Sequence, residues 1–133
     1  AASSRDGQIT FYASDAPSEA DSIWRESSPK GKPVSVRAEN ISQHLRGVDL
    51  LKFDIEGSEY EVLESADLSR VAWIIGEVHQ RRSGHNEGLH RILKKLDDSG
   101  FRYSLQSGMR PMDFVCDPEY PYLCMVFAHN NGK

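Results

Sequence analysis

Cysteine is scarce in this chain, with only Cys116 and Cys124 among 133 residues. Their number and spacing exclude a disulfide scaffold and a zinc knuckle. Cys124 lies inside the apolar run at 122–127 and reads as a buried free thiol. No apolar run approaches the roughly 20 residues of a membrane span, and the first residues, AASSRDGQ, lack the charged-then-apolar pattern of a signal peptide. The expected setting is soluble, reducing and cytoplasmic. Positive charge is not in excess either: 16 Lys and Arg stand against 20 Asp and Glu, for a net charge of -4 and a pI near 5.7. With no basic face evident, nucleic acid is not an expected partner.

What is present is enough for one core. A chain of 15.0 kDa and 38% hydrophobic residues is expected to fold as a single domain over residues 1–133. Residues 8–12 (QITFY) and 34–37 have the β-branched and aromatic content of short strands. Between them, 13–33 reads as a long polar loop pinned by Ile23 and Trp24, of a length often used for binding. Asn40 and Gln43 have the spacing of a capping box ahead of a short helix at 41–45 that closes at Gly47.

The chain is organised around residues 48–59, VDLLKFDIEGSE. Val48, Leu50, Leu51, Phe53 and Ile55 populate both faces of an extended segment, which predicts a central strand covered on both sides. Ser58 and Glu61 repeat the capping spacing, with Glu59 and Glu61 in the first turn of a helix running to about Ala66, where they oppose the positive helix end. A helix start filled with acids is a poor phosphate cradle. Residues 71–78 (VAWIIGEV) predict a second buried strand, ending in Glu77 and His79. A polar loop at 80–86 leads to a helix at 87–98 with the buried stripe Leu89, Ile92, Leu93 and Leu96, stopped by Gly100. Residues 101–106 and 122–129 read as strands joined by a loop with no helical pattern, hence antiparallel. The order predicts an α/β sheet with an antiparallel C-terminal strand pair.

Lys52-Phe-Asp54-Ile-Glu56-Gly57-Ser-Glu59, the following Glu61-Val62-Leu63, and Glu77-Val78-His79 after an aliphatic run resemble the FkbM family of S-adenosylmethionine-dependent methyltransferases. The resemblance runs from near the first strand to about His129 and covers the C-terminal half of that family's domain. It implies a partial Rossmann-like methyltransferase sheet in which the 122–129 strand lies antiparallel between the strands at 71–78 and 101–106. A member would carry upstream a glycine-rich turn and an acid that hold the methionine and ribose of the cofactor. No cluster of acid, glycine and glycine occurs before Val48, and Ser65 stands where the family commonly has glycine. The resemblance therefore implies a methyltransferase fragment, or a descendant without its cofactor half. The edge of strand 48–55 is then open, and cover by the N-terminal strands or by self-association with another chain is expected.

Methyl transfer to oxygen needs in-line positioning and a base for the acceptor proton. Asp54, Glu77 and His79 are the candidates, because adjacent parallel strands deliver all three to one rim. Asp54 is the first choice; it is equally a carboxylate that caps the loop into the next helix. Glu56 is expected to brace the turn through backbone N–H groups, and Gly57 to permit a backbone form closed to side chains. Lys52, a cation within an apolar strand, is expected to be buried against Asp54 or Glu77. The same three rim residues could hold a divalent cation, but no spacing signature supports one, and His85 and His90 miss the four-residue helical spacing; metal is left unassigned. The leading function is transfer of a methyl group to a small-molecule or sugar hydroxyl. Its rival is a non-catalytic binding or assembly module.

Overall fold

The computed structural model describes residues 1–13, 23, 30–79, 87–107, 110–111 and 123–132. The expected loop interiors at 14–22, 24–29, 80–86 and 112–122, with Trp24, His85 and Cys116, lie outside the described residues. Along the chain come β1 (Ala2–Ser3), β2 (Gly7–Ala13), β3 (Lys32–Asn40), a 3-10 turn (Ile41–Gln43), β4 (Leu50–Phe53), α1 (Glu59–Ser65), β5 (Trp73–His79), α2 (Glu87–Asp98), β6 (Phe101–Ser107), β7 (Arg110–Pro111) and β8 (Leu123–Asn130). They build two sheets, β1-β3-β2 and β4-β5-β8-β6-β7.

In the larger sheet β4 and β5 are parallel, and β8 runs antiparallel between β5 and β6. This is the expected place of the last strand. Helix α2 has the predicted bounds, because Leu89, Ile92, Leu93 and Leu96 form a single buried stripe and Gly100, at φ +80°, ends it. Helices α1 and α2 pack on each other and against β5 and β6. The sheet answers with period two: Phe53, Ile74, Val78, Cys124, Val126 and Ala128 join the helices in one core. Burial pushes the Cys124 thiol up to about 11, so it is an inert core residue.

Strand β4 corrects two expectations. It pairs only with β5 among the described residues, which is not the central place its apolar pattern predicts but is the open edge the family resemblance implies. Nor is it covered on both faces: Leu50 is 51% exposed, as is Trp73 beside it in the ladder. Trp73 stacks on His129 of β8 at 3.9 Å between ring centres. An apolar run reports only that a strand can be buried, and neighbours decide whether it is. The N-terminal strands do not pair with this edge but form their own sheet. Ala2 instead lines a cavity of about 350 Å³ beside β4, with Leu51, Phe53, Ile55, Val62 and Leu63.

The first half of the chain departs in detail as well. Asn40 caps as expected, its side chain accepting from the Ser42 N–H, but the 41–45 helix shortens to a 3-10 turn. Gln43 does not complete a capping box; its amide donates to Asp6, which also accepts the Asn40 N–H at 2.8 Å. Those bonds, Asn40 first, hold the Asp6 carboxyl below its usual range.

Candidate active site at the ends of β4 and β5

The site is built where β4 gives way to α1. After Phe53 the chain passes through Asp54 and Ile55 and reverses at Glu56 (φ +52°) and Gly57 (φ +108°). Left-handed backbone at a non-glycine residue costs roughly 1–2 kcal/mol, and Glu56 holds it beside the candidate site. Gly57 behaves as expected, in a conformation that side chains disfavour. Gly57→Ala is expected to cost about 1–2 kcal/mol, read as a lowered urea midpoint with unchanged slope.

The start of α1 differs from the predicted capping box. Ser58 makes no side-chain capping bond. Instead Glu59, fully buried, turns its carboxylate back so that Oε1 accepts the Gly57 N–H at 3.0 Å. Glu59 therefore braces the turn, and the Glu56 carboxylate faces His79, its Oε2 3.5 Å from Nε2. Lys52 is also corrected: it is exposed, with no ion pair among the described residues. A lysine on the open face of an edge strand keeps its charge in water and needs no buried partner.

The second strand completes the rim. Period two sends Val78 into the core and leaves Glu77 and His79, both half-buried, on the opposite side. One carboxylate oxygen each from Asp54 and Glu77 and one ring nitrogen of His79 lie within 4.8 Å of one another. The structure thus brings the three candidate residues together from two adjacent strands. Two carboxylates and an imidazole are also a donor set a divalent cation accepts.

His79 is the best-anchored member. Its Nδ1 lies 2.8 Å from Glu59 Oε1. This bond holds the imidazole pKa above its ordinary value against the opposing effect of burial, and the charges of Glu59, Glu56 and Asp54 add to it. The Glu56 carboxyl is also raised, first by its own desolvation and then by neighbouring Asp54, Glu59 and Glu77, with His79 opposing. Four carboxylates therefore surround one imidazole. The Glu59–His79 contact, 20 residues apart, was not foreseen, although a signal for it existed. Glu59 shares the spacing of Val62, Leu63 and Ala66 on the buried stripe of α1, and an acid at such a position needs a partner.

The methyltransferase FkbM domain matches residues 1–103, which takes in β4, the turn, α1, β5 and α2. The match ends within β6, short of the His129 limit expected from the motifs, so β8 lies beyond it. No curated protein and no solved structure matches the chain. Among the described residues no helix is long and apolar enough to cross a membrane. A family match over 103 of 133 residues, containing all three rim residues, shows that the chain belongs to the FkbM methyltransferase family.

Proposed function

We propose that the protein takes part in S-adenosylmethionine-dependent methyl transfer to a small-molecule or sugar hydroxyl in the cytoplasm, and that Asp54, Glu77 and His79 hold and deprotonate the acceptor. The observation that carries this reading is their convergence within 4.8 Å at the ends of two adjacent parallel strands, where open α/β sheets place their chemistry. The larger sheet is then one half of a Rossmann-like methyltransferase sheet.

S-adenosylmethionine supplies an electrophilic methyl group on a sulfonium. The rim fits that reacting end: clustered carboxylates favour a nearby positive charge, and carboxylate and imidazole both accept protons. It does not supply the anchoring half, since no glycine-rich turn precedes β4 in this chain. Asp54, exposed after β4, accepts a hydrogen bond from the incoming hydroxyl; Glu77, half-buried on β5, fixes its orientation.

Labelled methyl transfer to a panel of sugar and small-molecule hydroxyls tests the proposal. Asp54→Asn, which removes a charged hydrogen-bond acceptor, is expected to lower the rate about 10-fold; a variant as fast as wild type would remove Asp54 from the reaction. Calorimetric titration with S-adenosylmethionine accompanies the assay. A bound donor with no transfer to any acceptor would favour a binding module instead.

A further inference from the structure

We propose that Glu59 is a positioning residue: it holds neutral His79 in the tautomer protonated on Nδ1, so that the Nε2 lone pair takes the proton of the acceptor hydroxyl. The chemistry of this step rests on the methyl-transfer reading, whereas the tautomer is a property of the protein alone. Glu59 Oε1 already accepts the Gly57 N–H at 3.0 Å, so its 2.8 Å contact with His79 Nδ1 is made with the nitrogen as donor. The hydrogen bond made by one ring nitrogen sets the state of the other. Nε2 faces Glu56 Oε2 at 3.5 Å, a longer contact than the one at Nδ1, and is the nitrogen whose partner a ligand can replace.

Cost and charge point the same way. Glu59 is fully buried, and its Oε2 has no hydrogen-bond partner among the described residues. An unpaired buried carboxylate oxygen is expensive, and the fold keeps it where Oε1 ties the turn to His79. In the proton transfer the acceptor O–H bond breaks, its electron pair stays on the oxygen to be methylated, and the Nε2 lone pair takes the proton. The resulting imidazolium faces Glu59 on α1, Glu56 in the turn, Asp54 after β4 and Glu77 on its own strand. Among the described residues Asp54 has no comparable buried anchor. The geometry therefore favours His79 over Asp54 as the proton acceptor.

Two-bond proton–nitrogen correlation spectra of histidine-labelled protein, recorded through the His79 titration, read the tautomer directly. Wild type is expected to show neutral His79 protonated on Nδ1. In Glu59→Gln, which preserves shape and removes the charge, the midpoint should fall by about one pH unit. A wild-type spectrum with the proton on Nε2 overturns the proposal whatever the variant does. An unmoved midpoint in folded Glu59→Gln overturns it too. Protein with the Nδ1 tautomer and a shifted variant, yet no methyl transfer, would uphold the positioning and sink the enzymatic reading, so the two fail separately.

Discussion

Gly76→Ala is expected to destabilise the protein by about 3 kcal/mol, at the upper end for overpacking a core. Gly76 is opposite Phe53 in the β4–β5 ladder, and the Phe53 ring lies over its bare Cα. A Cβ there would stand 2.2 Å from Phe53 Cζ and 2.3 Å from both Cε atoms. Phe53 is 6% exposed and belongs to the core, so the ring cannot swing into water without losing its burial. The measurement is urea unfolding, with the midpoint lowered and the slope kept. Phe53→Leu in the alanine background should recover part of the loss, because the two residues share one space. A loss below about 0.5 kcal/mol, the range of neutral surface changes, would show that the ring moves freely. Gly76 also directly precedes Glu77, so the folded fraction of the variant should carry a displaced rim.

His79→Ala is expected to cost about 3 kcal/mol, because it strands the fully buried Glu59 carboxylate without its hydrogen-bond donor. The same change in a Glu59→Gln background should cost markedly less, since no charge is then left behind. Its pH dependence has a definite sign. His79 has a raised pKa in the folded state, so the native protein holds this proton more tightly than the unfolded chain. The stabilisation is fully present below the unfolded value of about 6.5 and is lost as pH rises through the folded value. Unfolding curves across neutral pH should therefore show wild type losing this increment on the alkaline side, while His79→Ala shows no such loss. Equal slopes in the two proteins would contradict the coupling.

Much of the larger sheet is legible from residues alone. The stripe on α2 sets that helix because burial at period 3.6 is a local pattern, and Gly100 ends it through its own backbone freedom. The antiparallel β6–β8 pairing follows from a connection whose sequence carries no helical pattern. The convergence of Asp54, Glu77 and His79 follows from parallel strands ending at one rim. Errors collect where a local pattern had to stand in for a neighbour. Apolar β4 reads as covered on both faces but exposes Leu50, Lys52 reads as buried but is exposed, and Ser58 has capping spacing but makes no cap.

By itself the sequence determined the family, the order of the elements and the three side chains that meet at the rim. These depend on periodicity, on breakers and on motif residues close together in the chain. Only the tertiary structure decided which acid anchors the site. Glu59 is one of four carboxylates near His79, and spacing cannot rank them. Burial does so, because in a low-dielectric interior the fully enclosed acid that meets Nδ1 outweighs others still in contact with water.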